Sequence, residues 1–422
     1  MTEAASPPAT PFASILDRPE VLADPYPLYA ALRRTTPVLR LPFGPPDSPG
    51  VWVLTRHEDC QAVLRDPNFS ADRRRSWIVR EGRSPLPPSL LDEESGLRSM
   101  LVMDPPDHTR VRGLVSRAFT PRRVAALAPR IEALVDELLD RRGDPKRIEL
   151  IGEFASPLPA TVIAELLGVP AEDQARFRGW AAELVTLTAG AGDPAEIATR
   201  VERALGALLD YLRGVIAERR RAPRDDLISA MIQAQVERDA LSDAELLATS
   251  NLLLIAGFET TTNLIGNGML ALLRNPEEFE RLRARPELLP NAVEELLRYD
   301  SPVQGTGRVA LRDLTLGGHR IPEGALVITL LGAANRDPEV FPEPDRLDLS
   351  REDSRHLSFG FGAHFCLGAP LARLEGRIAL AGLLRRFGRI ELAEEQVRHR
   401  PNFFLRGLEA LPLAVEEGGP NR

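Results

Sequence analysis

The sequence has little cysteine and almost no lysine. Two cysteines among 422 residues exclude a disulfide framework and a zinc site built on cysteine pairs, and they favour a reducing compartment, so we expect a cytoplasmic protein. Lys146 is the only lysine, and arginine supplies the remaining positive charge. A net charge of -8 disfavours nucleic acid as a partner.

The chain also has no obvious leader or membrane anchor. Residues 1–12 are polar and rich in proline, and we expect them to form a flexible segment. The most apolar helical candidate, residues 251–273, carries Glu259 near its middle, and charge there is costly in hydrocarbon. No internal repeat or linker divides the rest, so we expect residues 13–417 to form one domain without a membrane span.

Periodicity predicts a mainly α-helical protein with a small β-rich region. Apolar residues recur at spacings of three and four in residues 124–142 and 200–221, which indicates amphipathic helices. Short β-rich runs occur near the start, at 38–43 and 50–56, and again at 314–331. We expect strands from these two distant regions to share one sheet.

A long helix is predicted from Ser242 to the Asn-Pro pair at 275 and 276. Ser242 and Glu245 form a capping-box pattern, and the apolar pattern that follows would give a helix of about 48 Å. Its centre, AGFETTT, places Gly257, Glu259 and Thr260 where a core helix would prefer alanine and leucine. This centre is either a kink with a satisfied polar patch or a widened groove, in which glycine admits a ligand and Glu259 and Thr260 handle protons.

The other unusual stretch is FGFGAHFCLG, residues 359–368, directly before a predicted amphipathic helix. A buried free cysteine is usually a small hydrophobe. Cys366, however, stands at a helix start, where backbone N–H groups stabilise a thiolate. A lone sulfur is a poor zinc site but an adequate axial ligand for haem iron, and a nucleophilic Cys366 with His364 as base is the rival interpretation.

These motifs together resemble the cytochrome P450 family, and most closely its soluble bacterial branch. FGFGAHFCLG is similar to the haem-binding pattern FxxGxxxCxG, AGFETT to the oxygen-activating groove, and EELLR at 294–298 contains an ExxR. The motif order is also that of the family, and the resemblance extends over nearly the whole chain. It implies a helical triangular prism in which haem b lies between the long central helix and the helix after Cys366.

The resemblance also assigns roles to single residues. Glu259 and Thr260 correspond to the acid and alcohol pair that guides protons, Cys366 to the metal ligand, and Glu295, Arg298 and Arg346 to a buried structural network. The implied haem-binding residues are His108, Arg112, Ala256, Gly257, Arg308, Phe359, Gly360, His364, Cys366 and Gly368. The implied substrate pocket is lined by Leu253, Ala256, Leu264, Val303, Gln304 and Phe404, with residues 76–102 as much of its lid.

The expected activity is that of a haem-thiolate monooxygenase, which inserts one atom of O2 into a hydrophobic organic substrate by hydroxylation or epoxidation. Electrons would come from NAD(P)H through a ferredoxin, and Arg110, Arg117, Arg122 and Arg373 are the candidates for its docking. We expect a monomer that acts on a secondary metabolite or xenobiotic. The alternatives are a peroxide-driven or nitric-oxide-reducing relative and a non-catalytic haem-binding sensor.

Overall fold

The computed structural model describes residues 18–41, 43–84, 98–185, 194–234, 241–353 and 355–418. The expected flexible segment 1–12 and the middle of the predicted lid, residues 85–97, lie outside these ranges. Helices dominate the described part, as the periodicity predicts.

Helices of at least four residues are numbered in chain order. They are α1 (Pro19–Ala23), α2 (Tyr26–Thr35), α3 (His57–Arg65), α4 (Trp77–Arg80), α5 (Asp107–Ala118), α6 (Pro121–Ala126), α7 (Ala128–Asp140), α8 (Pro157–Leu167), α9 (Gln174–Val185), α10 (Pro194–Arg221), α11 (Leu227–Ala234), α12 (Asp243–Leu273), α13 (Pro276–Ala284), α14 (Leu289–Tyr299), α15 (Leu331–Ala334) and α16 (Ala369–Arg386). A π-helix covers Leu150–Ala155, and single 3₁₀ turns include Arg73–Arg75, Met100–Val102 and Gly362–His364.

The strands form three small sheets. They are β1 (Val38–Leu41), β2 (Val51–Leu54), β3 (Phe69–Ser70), β4 (Arg147–Glu149), β5 (Gly305–Ala310), β6 (Leu314–Leu316), β7 (His319–Ile321), β8 (Leu326–Leu330), β9 (Phe387–Leu392) and β10 (Pro412–Glu417). The largest sheet has the order β1-β2-β8-β5-β3, and β2 pairs with β8 in parallel. This pairing confirms that strands from the two distant regions share a sheet. The sheet β4-β10-β9 was not predicted.

Helix α12 confirms the predicted long helix and its capping box. The Ser242 hydroxyl accepts from the Glu245 backbone N–H at 3.1 Å, and the Glu245 carboxylate accepts from the Ser242 backbone N–H at 2.8 Å. The helix has 31 residues, and its C-terminal half is buried. It packs against α8, α10, α14 and α16, so it crosses the helical core as expected.

The hydrophobic core follows the same division between helices and sheet. One large cluster of buried side chains joins the helices around α12, and two smaller clusters lie on the five-stranded sheet. Within the described residues, the stretch Leu150–Leu167 is long and apolar enough to span a membrane, but 67% of it is buried inside the protein. A core helix meets the same description.

Candidate active site

The loop before α16 turns Cys366 toward the protein interior. Gly360 has φ +71° and Gly362 has φ +70°, a conformation that strongly favours glycine. A side chain on Gly362 would also meet the Leu64 carbonyl oxygen at 2.7 Å, so this glycine lets the loop lie against α3. The Cys366 N–H donates to the Phe359 carbonyl at 2.8 Å and closes the turn.

Cys366 combines an accessible surface with crowded surroundings. Its residue is solvent-exposed, yet burial raises the pKa of the Cys366 thiol above its ordinary value, against the backbone N–H groups of Gly368 and Ala369 and the charge of Arg112. The sulfur therefore lies in a cleft. The backbone N–H groups at the helix start favour the thiolate, as expected. Desolvation has a larger effect on the pKa and favours the thiol.

Two phenylalanines flank the cysteine loop. The Phe359 ring lies 6.2 Å from the Phe365 ring, and the Arg373 guanidinium lies 4.5 Å above the Phe359 ring. Phe365 is 38% exposed. Phe359 is thus packed beside the loop, whereas Phe365 remains accessible.

The centre of α12 also opens to solvent. Ala256 is exposed in the middle of an otherwise largely buried helix, and the Thr260 hydroxyl donates to its carbonyl oxygen at 2.9 Å. This bond uses the hydroxyl proton, so the hydroxyl oxygen can still accept a hydrogen bond from a donor. The Gly257 prediction needs correction: a side chain there would meet Ile163 of α8 at 3.4 Å, so this glycine faces a neighbouring helix and Ala256 opens the groove.

Glu259 is held by a residue that the sequence did not reveal. Its side chain is 4% exposed and forms an ion pair with Arg400, which is 32% exposed. Arg400 lies 141 positions along the chain, and no local motif connects the two. The acid thus stands between the interior of the groove and a partly exposed cation.

Two histidines and two arginines gather beside Cys366. The His108 and His364 rings stack with centroids 4.1 Å apart, and Arg112 donates to the Phe365 carbonyl at 2.6 Å. Arg308 of β5 donates to the Gly307 carbonyl at 2.9 Å. Burial and these neighbouring cations lower the pKa of His364 to about 3, and burial together with Arg73 lowers the pKa of Arg308 to about 10.

This cationic group has few acceptors of its own. Within the described ranges Arg112 and Arg308 donate only to neutral oxygens, and the buried Nε2 of His108 has no hydrogen-bond partner. Groups that depress one another's pKa in this way are stabilised by an added anion. The arrangement is therefore suited to bind carboxylates.

A second arginine cluster lies in α14 and is fully paired. Arg298 and Glu295 have side chains only 1% and 2% exposed and form a bidentate pair at 2.7 and 2.8 Å. Arg298 also donates to the carbonyls of Asn335 and Pro344 at 3.0 and 2.8 Å. The pair is structural in position, as the resemblance implies.

The third member of this cluster was assigned wrongly. The Arg346 side chain is 58% exposed and pairs with Glu343, so only its carbonyl oxygen joins the network, where it accepts from Arg298 at 3.1 Å. Arg351, whose side chain is 11% exposed, supplies the second guanidinium and lies 3.3 Å from Glu295. Both arginines follow the same proline-rich turn, and sequence alone did not distinguish their directions.

Comparison with known proteins decides the family. The family model for cytochrome P450 matches residues 190–408. Cytochrome P450 CYP107DY1 of Priestia megaterium is 44% identical over 369 residues, which cover 86% of this chain and 89% of that protein. The chain belongs to the cytochrome P450 family. It is therefore an oxygen-incorporating oxidoreductase that binds haem b.

Solved P450 structures confirm the fold. PksS, the P450 of the bacillaene polyketide synthase of Bacillus subtilis 168, has a TM-score of 0.85 and 40% identity, covering 95% of this chain and 99% of that chain. The myxobacterial CYP267B1, solved in complex with myristic acid, has a TM-score of 0.87 and 43% identity, covering 96% and 99%. The predicted fold class is thus confirmed.

The site fits haem b on the chemistry of its own side chains. The P450 exposes the Cys366 thiol in crowded surroundings and exposes Ala256 at the centre of α12. Beside Cys366 it places arginines and histidines suited to two propionates. The orphaned Nε2 of His108 is an unused donor or acceptor in this group. Haem needs one axial protein ligand, and Cys366 is the one thiol in the loop.

The pocket predictions divide into two groups. Leu253, Val303 and Phe404 are half-buried, and their contribution to a pocket stays a prediction. Leu264 is wrong: it is 3% exposed and packs against Gly376 of α16. Gln304 is wrong too, because its amide accepts from the Tyr29 hydroxyl at 2.8 Å and donates to the Ser301 carbonyl at 2.7 Å in the interior.

The arginines proposed for docking differ in their exposure. Arg110 is half-buried and bound by Glu245 at the start of α12, and Arg373 is half-buried and forms a bidentate pair with Glu294 at 2.6 and 2.7 Å. Arg117 and Arg122 are exposed. An exposed guanidinium is the more accessible to an acidic partner, so Arg117 and Arg122 are the better candidates.

Proposed function

We propose that this P450 inserts one atom of O2 into a hydrophobic substrate by hydroxylation or epoxidation, while the other atom leaves as water. Two electrons from NAD(P)H, passed through a ferredoxin, and two protons balance the reaction. The observation that carries the proposal is the accessible Cys366 thiol, in a chain that also exposes Ala256 next to the Thr260 hydroxyl at the centre of α12.

Each edge of the cleft has a proposed task. Cys366 would hold the haem iron through its thiolate, and His108, Arg112, Arg308 and His364 would bind the propionates. Bound haem supplies O2 binding and O–O cleavage, for which thiolate ligation is suited. Charge-assisted bonds from arginine to carboxylate also restore the depressed pKa values of the cluster, so the cofactor stabilises the residues that hold it.

Protons are proposed to reach the groove through Glu259 and Thr260. Glu259 is buried and bound to the partly exposed Arg400, so a turn of its side chain would carry a proton from the solvent side to the interior. Thr260 accepts it, because its hydroxyl donates to the Ala256 carbonyl and keeps its lone pairs free. This pair supports an O2-dependent reaction over a peroxide-driven one.

The substrate class follows from the lining. Leu253, Val303 and Phe404 are apolar and half-buried, which supports a medium-sized hydrophobic metabolite such as a polyketide, terpenoid or aromatic. The likeness to a polyketide-synthase P450 favours the first of these. We further propose a cytoplasmic monomer with residues 13–417 as one domain, and a ferredoxin that docks at Arg117 and Arg122.

The ligand assignment is tested by the spectrum of the reduced carbon monoxide complex. The wild type should show the red-shifted Soret band of thiolate-ligated haem, and Cys366→Ala should abolish it. Thr260→Ala is the matched variant in the same cleft: it should keep the band but release more peroxide per NAD(P)H consumed. An unshifted wild-type band would refute the thiolate ligand, and unchanged peroxide release would refute the role of Thr260.

A further inference from the structure

Arg73 lies at the edge of the cleft and has no part in the site described so far. It opens the 3₁₀ turn Arg73–Arg75 that follows β3, and β3 pairs with β5. A Cβ atom built on Gly307 would lie 3.7 Å from the Arg73 Nε. The guanidinium therefore lies beside the β5 backbone at Gly307, one residue before Arg308. Gly307 leaves it this place because it has no side chain.

The Arg73 guanidinium is in a cleft and not on the outer surface. Its residue is solvent-exposed, yet burial lowers the pKa of Arg73. A side chain on the outer surface would keep its hydration and show no such lowering. Exposure together with desolvation is the same combination that Cys366 shows.

Arg73 has no anionic partner within the described residues. The nearby carboxylates are occupied: Asp72 binds Arg74 in a bidentate pair at 2.8 and 2.7 Å. Asp104 accepts from the Ser70 hydroxyl and from the Ala71 N–H, and Arg75 lies 3.6 Å from it. On β5, burial together with Arg73 lowers the pKa of Arg308, so the charge that this strand places near Arg73 is also positive.

We propose that Arg73 binds a carboxylate at the β5 edge of the cleft, as a residue that determines specificity for anionic ligands. Two sources supply this group, a haem propionate and the carboxylate of a substrate. His108, Arg112, Arg308 and His364 are already proposed as four partners for the two propionates, so we assign Arg73 to the carboxylate of a substrate. Myristic acid, which a solved relative holds, is the probe for that carboxylate. The inference rests on the proposed haem site.

The experiment compares Arg73→Gln with Arg74→Gln, a matched control on the same turn whose arginine is already paired with Asp72. The holoenzymes are first checked for the thiolate-type carbon monoxide band, so that failure of the haem site is seen separately. Myristic acid and 1-tetradecanol are then titrated by the low-spin to high-spin shift, and haem transfer to apomyoglobin is timed.

Loss of one charge-assisted bond should weaken myristic acid binding on the order of tenfold or more in Arg73→Gln, with 1-tetradecanol unchanged. Arg73→Lys should recover part of the loss. If haem transfer accelerates and both lipids weaken equally, the carboxylate is a propionate. The proposal is overturned if Arg73→Gln matches wild type and Arg74→Gln in every measurement.

Discussion

Two arginine clusters of this P450 are partnered in opposite ways. In α14 the Arg298 guanidinium is bound by Glu295 and by backbone carbonyls on every side. Beside Cys366, Arg112 and Arg308 bind neutral oxygens in the described structure, and burial together with both of their charges lowers the pKa values of His108 and His364. The first cluster satisfies itself, whereas the second is complementary to an anion from outside the chain.

The difference separates structural from binding arginines. A buried charge costs several kcal/mol unless paired, so a paired cluster holds its elements together. An unpaired cluster at an open cleft costs less because water reaches it, and it gains most when a carboxylate arrives. The low degree of internal pairing therefore supports the proposed cofactor edge without reference to any motif.

The largest effect is expected from breaking the paired cluster. Arg298→Ala strands the Glu295 carboxylate in the interior, so the free energy of unfolding should fall by about 3–5 kcal/mol. Arg346→Ala is the control, since its exposed side chain should change stability by less than about 0.5 kcal/mol. Denaturant unfolding of both variants checks this, and equal losses would restore Arg346 to the network.

An unpaired buried acid sharpens the comparison. Glu375 of α16 is 1% exposed, and burial raises its pKa to about 8, against the Thr261 hydroxyl. In the unfolded chain this carboxyl ionises near its ordinary pKa. Wild-type stability is therefore lost as pH rises from 4.5 to 8, at a steepest slope of about 1.4 kcal/mol per pH unit.

Glu375→Gln removes this dependence. The variant should therefore gain stability over wild type as pH rises through that window, while the two should converge below pH 4.5. Thermal unfolding of both proteins at several pH values measures the difference. Glu394→Gln, at an exposed position, is the control; parallel curves for Glu375→Gln and wild type would mean that the carboxyl is ionised in the fold.

The smallest stability effect is expected in the unpaired cluster. Arg308→Gln removes a positive charge that lies near another positive charge, Arg73. The melting temperature of the haem-free protein should therefore stay the same or rise slightly. Haem should dissociate several-fold faster, because a proposed propionate partner is lost. Melting of the haem-free protein and haem transfer to apomyoglobin give the two values. A clear loss of haem-free stability would show that Arg308 is a structural arginine like Arg298.

Local patterns predicted the elements that local chemistry controls. The capping box at Ser242 and the pairing of Glu295 with Arg298 both involve residues close in sequence, and both are found. The shared sheet was predicted because β-rich runs near both ends need partners. Family likeness added the identity of the cleft.

Partners that are distant in sequence were missed. Arg400 forms an ion pair with Glu259, and Arg351 forms the ion pair with Glu295 that was expected of Arg346. The Tyr29 hydroxyl donates a hydrogen bond to the Gln304 amide oxygen. Each depends on the direction of a long side chain, which tertiary packing decides and periodicity does not record. Gly257 was assigned to the groove for the same reason, since its sequence position does not tell which side of α12 meets α8.

The parallel pairing of β2 with β8 has a consequence for biosynthesis. Val51 lies opposite Leu326, and the strand that carries Arg308 is bound to the same β8. A ribosome must therefore release most of the polypeptide before the sheet closes, and such distant pairing slows folding. The strand that carries Arg308 is therefore expected to find its place in the sheet only after most of the chain has left the ribosome.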